Sequence, residues 1–345
     1  MSALTTVTWC PLVESNITKN MKNLIVISDA GLDPDDVVAT LLLANAHKKG
    51  LVNLLGFVGN MYPAEQRAAL IKGVLKSEGL HDIPVGIGTN CNLTREVKSY
   101  EFDFELANTL ELLSGEELLI SQLNSSADSS ITLLLISGLT DACDLITNHT
   151  ELFKSKVAEV YVMGGGCFKD NELVIDNTAS NNKFDLDSSN KFYSKLKELH
   201  TPLKVLTRFA AYSCFVSTDF YNELANQSAV GKYLKNIQQS SITSLWKYAN
   251  SQPTTERQNR KWFCTTFCKQ DDIPVSVEES PWEYIKGFSL YDPLTALWVI
   301  YPELFNPTIQ TINFTEYNIV GVSSDNPGVI DSENTIKVLK ELVYG

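Results

Sequence analysis

The sequence predicts one α/β domain in which a mostly parallel central sheet is flanked by helices. Short apolar runs alternate with helical patterns along the chain, and their consecutive positions are apolar, as in strands covered on both faces. Strand–helix alternation at this spacing favours parallel strands joined by right-handed crossovers. With 345 residues, the chain is long enough to bury a sizeable core.

Six apolar runs are predicted to be the strands of this sheet: 23–28, 53–60, 83–88, 131–137, 158–166 and 202–207. A helix is expected to begin near Pro34, and an amphipathic helix is expected over about 64–78. Each of these helices follows a strand directly, which is the order that parallel crossovers require.

Two regions of the chain do not follow this alternation. Residues 1–22 lack clear periodicity and are interpreted as an N-terminal extension, so the domain is predicted to span residues 23–345. Residues 227–290 have a helical pattern, are rich in Gln, Ser, Thr and aromatic residues, and are interrupted by prolines. We interpret this segment as a helical cap or insertion over the carboxyl-terminal edge of the strands.

The net charge and the cysteine content restrict the partners and the location. A formal net charge of −13 argues against binding to nucleic acids or anionic membranes, and it says little about small neutral ligands. The seven cysteines are odd in number, and the one close pair, Cys264 and Cys268, has no second Cys or His pair nearby. This pattern predicts neither a zinc site nor a disulfide framework. Without a signal-peptide pattern or a bilayer-length apolar run, a cytoplasmic protein is expected.

Four carboxylates are crowded at the end of the first predicted strand. Asp29, Asp33, Asp35 and Asp36 lie within eight residues. A helix start with Asp33 as N-cap and Pro34 as the first helical residue would explain part of this cluster. Capping does not explain Asp29, and carboxylates this close repel one another unless a cation neutralises them. A hard divalent cation such as calcium or magnesium is the alternative explanation.

Four short motifs accompany the carboxylate cluster along the chain. They are Val58-Gly59-Asn60, Ile136-Ser137-Gly138-Leu139-Thr140, Val162-Met163-Gly164-Gly165-Gly166 followed by Asn171, and Tyr291-Asp292-Pro293. In this order, and with the carboxylate cluster, they resemble the signature of the inosine–uridine preferring nucleoside hydrolases over roughly residues 23 to 345. The sequence departs from that signature at Ile27, where the family has its first aspartate, and at Tyr291, where it has histidine.

The resemblance implies a calcium ion at the bottom of a pocket, where it would bind the ribose 2′- and 3′-hydroxyl groups. Asp29 and Asp36 would be metal ligands, and Asp292 would complete the site from the far end of the chain. The remaining protein ligand would be the main-chain carbonyl of Ile136, a role that does not depend on the side chain.

The resemblance also assigns the catalytic residues. Asp35 would be the general base that takes a proton from a metal-bound water, and the hydroxide would attack the anomeric carbon as the N-glycosidic bond breaks. Asp35 and its neighbours would stabilise the oxocarbenium-like charge. Tyr291 stands in place of the histidine that helps to protonate the leaving base in many members. A tyrosine, with an ordinary pKa near ~10, is a poorer acid at neutral pH.

Several polar residues are candidates for ribose contacts on the same resemblance. Asn60 and Asn171 would hold ribose hydroxyls, although Asn60 also suits a turn after its neighbouring glycine. The segment 177–187 aligns less well, because a glutamate of the family is missing there. Asn181 or Asn182 would take its sugar contacts, and an ordinary polar loop is the alternative.

Aromatic residues in the segment 227–290 are candidates for stacking on the base. Some purine-specific relatives stack the base between aromatic side chains instead of protonating it through a histidine. Trp246 and Trp262 are the candidates for this role, and packing within the core is the alternative for each.

The resemblance therefore implies an N-glycosyl hydrolase that releases ribose and free base from purine or pyrimidine ribonucleosides in a calcium-dependent reaction. Two alternatives stay open: a homologue that binds ribose or a nucleoside with little turnover, and a hydrolase of another N-riboside. Loss of the histidine favours the binder, whereas retention of Asp35 beside Asp36 favours catalysis. The expected partner is a small-molecule nucleoside, and relatives imply a homodimer or homotetramer.

Overall fold

The structure, a computed structural model, describes residues 21–91, 94–105 and 107–345, except for the Leu110 side chain. Most of the proposed N-terminal extension, residues 1–22, lies outside the described residues. The first described strand begins at Lys22, one residue before the predicted start.

The described strands are, in chain order, β1 (Lys22–Ser28), β2 (Val52–Gly59), β3 (Val85–Ile87), β4 (Leu113–Ser114), β5 (Ile131–Leu135), β6 (Val157–Met163), β7 (Gly166–Lys169), β8 (Glu172–Ile175), β9 (Leu203–Leu206), β10 (Phe215–Val216), β11 (Phe288–Ser289), β12 (Thr308–Ile312) and β13 (Thr315–Val320). Within the described ranges, nine of them form one sheet in the order β12-β13-β9-β6-β5-β1-β2-β3-β4. Every neighbouring pair of this sheet is parallel except β12 and β13. The predicted α/β fold with a mostly parallel sheet is confirmed.

The described α-helices are α1 (Asp35–Lys48), α2 (Ala64–Ser77), α3 (Gly115–Ser125), α4 (Thr140–Asn148), α5 (Thr150–Lys156), α6 (Ser180–Lys183), α7 (Leu186–Glu198), α8 (Arg208–Ala211), α9 (Thr218–Gln227), α10 (Ala229–Ser251), α11 (Arg260–Phe263), α12 (Tyr291–Ile300) and α13 (Ser332–Val343). Short 3₁₀ helices lie at Thr109–Glu111, Trp282–Tyr284 and Pro302–Leu304, and a π-helix lies at Cys264–Cys268. The segment 227–290 holds α10, α11, the π-helix and one 3₁₀ helix, in line with its helical pattern.

Strand β1 shows how the sheet is buried on both faces. Its side chains alternate between the faces, as the pleat of a strand requires. Leu24 and Val26 pack with α1, α2 and α12 on one face, whereas Ile25 and Ile27 pack with α3, α4 and α7 on the other. All four side chains are buried. This double coverage is the physical reason for the unbroken apolar run in the sequence.

The features that the sequence analysis does not predict are at the edges of the fold. The hairpin of β7 and β8 and the edge strand β12 expose every second residue, so they lack the continuous apolar run of a central strand. Strands β5 and β6 end earlier than predicted, at Leu135 and Met163. Ile136 and Gly164 therefore lie just beyond the strand ends, at the carboxyl-terminal edge of the sheet.

Gly59 allows helix α2 to approach the end of β2 closely. A Cβ atom at this position would lie 2.5 Å from the main-chain nitrogen of Ala68 and 2.6 Å from its Cα atom. Only glycine fits such a contact without a shift of the helix. The close approach brings Arg67, the neighbour of Ala68, to the same edge of the sheet as the carboxylates that follow β1.

Candidate active site

A cavity of about 440 Å³ lies at the carboxyl-terminal edge of the parallel strands. Its lining includes residues that follow β1, β5, β6 and β9, together with the first residues of α1 and α12. Open α/β sheets bind their ligands at this edge, because the loops there converge on one crevice.

Three buried carboxylates, Asp35, Asp36 and Asp292, form the acidic cluster of this cavity. One carboxylate oxygen from each lies within 4.8 Å of the others. Ser28 Oγ and the Asp29 main-chain N–H donate to Asp36 Oδ1 over 2.7 and 3.0 Å. These bonds hold the start of α1 against the end of β1.

Asp35 connects the starts of two helices that are far apart in the sequence. The main-chain N–H groups of Tyr291 and Asp292 donate to Asp35 Oδ2 over 3.1 and 3.4 Å. Helices α1 and α12 pack against each other along their length. The carboxylate of Asp35 is thereby fixed at the place where the two helices begin.

The electrostatics of the acidic cluster favour a bound cation. Burial raises the pKa of Asp36 and of Asp292 well above the usual carboxyl range, and neighbouring carboxylates raise both further. Burial also raises the pKa of Asp35, against the main-chain hydrogen bonds that lower it. Carboxylate oxygens are hard donors, so the chemistry of this donor set fits a calcium or magnesium ion.

Asp29 and Ile136, the other two predicted ligands, line the same cavity outside the acidic cluster. Asp29 Oδ2 lies 3.7 Å from Nη1 of the buried Arg67. Ile136 directly follows β5, and its main-chain N–H donates to the carbonyl of Ile27. Both residues line the cavity that holds the acidic cluster, and their roles as metal ligands stay predictions.

The predicted capping role of Asp33 is wrong. Helix α1 begins at Asp35 with Pro34 in the N-cap position, and no side chain caps it. Asp33 instead lines the same cavity as Asp35. The carboxylates in the first turn are thus directed to the cavity instead of to the helix terminus.

Tyr291 lies beside the acidic cluster and forms a pair with Tyr212, a residue that the sequence analysis does not identify. The two rings meet edge to face with their centroids 6.2 Å apart. Burial raises the pKa of Tyr291 well above its ordinary value, and Tyr212 raises it further. The Tyr291 phenol is therefore protonated at neutral pH and can donate a hydrogen bond.

Of the four predicted asparagines, the structure places Asn181 in the lining of the cavity. Its Nδ2 donates to the carbonyl of Met163 over 3.0 Å. Asn182 is buried below the lining and bonds to two main-chain carbonyls and to the Tyr193 hydroxyl. Asn171 is exposed at the turn between β7 and β8 with a φ of 59°, a left-handed conformation that asparagine tolerates. The expected ribose contacts of Asn171 and Asn182 are not supported by these positions.

Asn60 is fully buried and does not line the cavity. Its Nδ2 donates to the carbonyl of Gly138 over 2.9 Å and to Asp141 Oδ2 over 2.8 Å. Its Oδ1 accepts a hydrogen bond from the Ser137 hydroxyl. Asn60 thus joins the end of β2 to the loop after β5, so its position explains a structural role better than a ribose contact.

Replacing Asn60 with alanine is expected to lower the free energy of unfolding by about 1–3 kcal/mol, because Asp141 and Gly138 lose a buried donor. Urea unfolding followed by circular dichroism measures this change, with the exposed Asn190→Ala as the matched control. A raised KM for a riboside at unchanged stability would contradict the structural role and restore the ribose contact.

Neither predicted tryptophan lines the cavity. Trp246 is fully buried, packs on Phe263 with ring centroids 5.0 Å apart, and donates from Nε1 to the carbonyl of Ser276. Trp262 meets Phe267 edge to face at 5.8 Å. Their expected stacking on a base is not supported, since both rings pack within the helical segment. The aromatic side chains that line the cavity are Tyr62, Phe184, Tyr212 and Tyr291.

Three arginines of the cavity lining are missing from the sequence analysis. Arg67 donates to the carbonyls of Ala30 and Tyr62, and Arg95 forms a two-bond pair with the buried Glu101. Arg208 is the first residue of α8, two residues after the end of β9. The sequence gives one indication of Arg208: it comes directly after the predicted strand 202–207, and residues at the carboxyl end of a strand are candidates for a site.

The fold and the cavity define an open α/β protein with a cluster of buried carboxylates at the carboxyl-terminal edge of the sheet. The sequence model of the inosine–uridine preferring nucleoside hydrolases matches residues 24–341. The chain belongs to this family, which confirms the resemblance of its motifs.

Solved structures extend this comparison. The effector protein XOO4466 is 26% identical and superposes with a TM-score of 0.79, covering 94% of this chain and 93% of its own. The type III effector XopQ, solved in complex with adenosine diphosphate ribose, is 26% identical with a TM-score of 0.80 and 94% coverage of both chains. The purine-preferring ribonucleoside hydrolase from Gardnerella vaginalis shares the fold at 15% identity, with a TM-score of 0.63 and coverage of 94% and 98%. No protein of curated function matches the chain.

None of the described helices combines the length and the apolarity that a membrane span requires.

Proposed function

We propose that this protein hydrolyses the N-glycosidic bond of ribosides in a calcium-dependent reaction. The observation that carries the proposal is the buried acidic cluster of Asp35, Asp36 and Asp292, at the carboxyl-terminal edge of the sheet in a member of this family. A cluster of like charges in a buried cavity is unfavourable unless a cation is bound there.

Asp36 and Asp292 would hold the calcium ion, with Asp29 and the Ile136 carbonyl as further ligands. A bound divalent cation lowers the pKa of a coordinated water, which makes a nucleophile available near neutral pH. The ribose hydroxyls would bind the same cation, because diol oxygens share the hard-donor chemistry of these ligands.

Asp35 would accept a proton from the attacking water. Its Oδ2 is held by two main-chain N–H groups, so the carboxylate has a fixed orientation for this role. The water oxygen bonds to the anomeric carbon as the carbon–nitrogen bond breaks, and the base leaves with that electron pair. The carboxylates of the cavity stabilise the positive charge that develops on the ribosyl group.

Tyr291 would donate a hydrogen bond to the departing base, since its phenol is protonated at neutral pH. Tyr212 packs edge to face against the ring of Tyr291. The pair provides an aromatic surface for the base close to the acidic cluster.

Ribose release from a panel of nucleosides tests this proposal. The panel contains purine and pyrimidine nucleosides and nicotinamide riboside, each assayed with calcium and with a chelator. Release that depends on calcium is the expected result and identifies the preferred base. No release from any substrate by protein that binds calcium would contradict the hydrolase proposal.

Calcium is expected to raise the Tm more at about pH 8 than at about pH 5. In the metal-free protein, the pKa values of Asp36 and Asp292 are raised above those of the unfolded chain. Their contribution to stability is present at low pH and is lost as the pH rises through the raised values. Bound calcium offsets this loss, because the ion binds the deprotonated carboxylates. Thermal melts with calcium and with a chelator across this range measure the difference, and a calcium effect that shrinks as the pH rises would contradict it.

A second candidate function is binding of a ribose-containing ligand with little turnover. XopQ, solved with adenosine diphosphate ribose, supports it at 26% identity over 94% of both chains. Replacement of the family's histidine by Tyr291 also supports it. A bound nucleoside that is recovered intact after long incubation with calcium would favour this candidate.

The proposed location and assembly follow the same family. The cysteines in the described ranges are free thiols, which is in line with a reducing, cytoplasmic compartment. The homodimer or homotetramer implied by the resemblance is tested by light scattering on the purified protein.

A further inference from the structure

One side of the cavity differs in chemistry from the acidic cluster. Ser180, Asn181 and Arg208 line this side, and we call them the donor wall. Ser180 and Asn181 are the first two residues of α6, whereas Arg208 follows β9. The wall offers a hydroxyl, an amide and a guanidinium group, so it is rich in hydrogen-bond donors.

Arg208 is held in place and still has donors to spare. Its Nη2 donates to Asp176 Oδ2 over 2.8 Å and to Thr178 Oγ1 over 3.1 Å. The side chain is 29% exposed. Among the described residues, Nε and Nη1 of Arg208 have no hydrogen-bond partner. Asp176 therefore orients the guanidinium group while two of its nitrogens stay available to a ligand.

Asp176 binds Arg208 through Oδ2 and uses its other carboxylate oxygen for hydrogen bonds with Thr178. Its Oδ1 accepts from the main-chain N–H of Thr178 over 2.8 Å and from the Thr178 hydroxyl over 2.6 Å. The Arg208 guanidinium and these two bonds lower the pKa of Asp176, so it stays ionised at neutral pH. A small hydrogen-bond network joins Arg208, Asp176 and Thr178. Within it, the donors without a partner are those of the Arg208 guanidinium group.

The other two cavity arginines do not offer this capacity. Arg67 is buried and donates from Nε, Nη1 and Nη2 to main-chain carbonyls. Arg95 is bound through both terminal nitrogens to the carboxylate of Glu101. Arg208 is thus the arginine of the lining that is suited to a ligand from solution.

We propose that the donor wall binds a 5′-phosphate, so that the preferred substrate is a phosphorylated N-riboside. This inference rests on the proposed function and names its substrate class. A neutral nucleoside has no group that requires a guanidinium, whereas arginine matches the geometry and charge of a phosphate. Nucleotides carry the phosphate on the 5′ carbon, which leaves the ring hydroxyls free for the acidic cluster.

The donor set also explains how an anion can bind in a cavity lined by five aspartates. The carboxylates lie after β1 and in the first turns of α1 and α12: Asp29, Asp33, Asp35, Asp36 and Asp292. Arg208 of the donor wall follows β9, which is three strands away from β1 in the sheet order. The phosphate and the carboxylates therefore occupy different parts of the cavity.

Calorimetric titration of the calcium-loaded protein with ribose and with ribose 5-phosphate tests the proposal. We expect ribose 5-phosphate to bind about 10- to 100-fold more tightly, the effect of a charge-assisted hydrogen bond. The substitution R208Q should remove this preference and leave the affinity for ribose unchanged, while R208K should restore part of it. The exposed Arg257→Gln is the matched control and should keep the full preference.

The outcomes separate this inference from the proposed function. Equal affinity for the two sugars, or no binding of ribose 5-phosphate, would overturn the phosphate site. If R208Q and R208K both lost affinity for the two sugars equally, the phosphate site would also be overturned, because Arg208 would then support the cavity as a whole. The titrations do not depend on turnover, so a phosphate preference stands even where no nucleoside is hydrolysed. Hydrolysis without such a preference would leave the proposed function intact.

Discussion

Asp35→Asn is expected to lower the rate of ribose release by about 10²- to 10⁴-fold, the usual contribution of a general base. Asparagine keeps an oxygen that accepts the main-chain N–H groups of Tyr291 and Asp292, so the helix starts stay in place. What the variant loses is the ability to accept a proton. Initial rates with a saturating riboside and calcium measure the effect, and the exposed Asp271→Asn is the control for loss of one negative charge.

Calcium binding separates a base from a ligand at this position. If Asp35 acts as the base, calorimetry should find calcium bound by Asp35→Asn with an affinity close to that of the parent. A variant that is as active as the parent would show that another group takes the proton. Loss of both calcium and activity would reassign Asp35 as a metal ligand within the acidic cluster.

Asp292→Asn is expected to weaken calcium binding by about 100-fold or more, because the substitution removes a direct carboxylate ligand. The same substitution should stabilise the metal-free protein. Burial and four neighbouring carboxylates raise the pKa of Asp292, so its charge is unfavourable when no cation is present. The variant should thus have the higher Tm with chelator, and the parent should have the higher Tm with calcium.

Thermal melts of both proteins in the two conditions test this reversal. Asp271→Asn again serves as the control, since the Asp271 side chain is exposed and does not line the cavity. A variant that is destabilised equally in both conditions would mean that Asp292 supports the fold by itself. Unchanged calcium affinity would remove Asp292 from the metal site.

The central fold was predictable because its strands are buried on both faces. The run in β1 is apolar from Leu24 to Ile27 because α1 and α2 cover one side of the strand and α3 and α4 cover the other. The same reasoning fails for β7, β8 and β12. These strands lie at edges or in a hairpin, where alternate side chains meet solvent and the apolar run disappears.

The acidic part of the site was predictable because it is local in the sequence. Asp29, Asp35 and Asp36 follow one strand, and the resemblance added Asp292. The directions of individual side chains were not predictable from spacing alone. Asn60 and Trp246 lie close to the expected elements, but their polar groups bond to the protein interior.

The other side of the cavity depends on contacts between distant segments. Tyr212 and Arg208 gain their roles from the way β9 lies next to β6 in the sheet, and no short motif marks either residue. The charge of the whole chain, −13, also concealed a positive group in the cavity. Local cationic chemistry is therefore compatible with a strongly acidic protein.

The hydrogen bond from Tyr291 to Asp35 spans 256 positions of the chain. Contacts of such long range form late in folding, because a large loop must close first. The proposed calcium ligands Asp36 and Asp292 come together only with that closure, so calcium would have little to bind before it. Bound calcium would then stabilise the folded protein after the transition state for folding, so it would slow unfolding and leave the rate of folding almost unchanged.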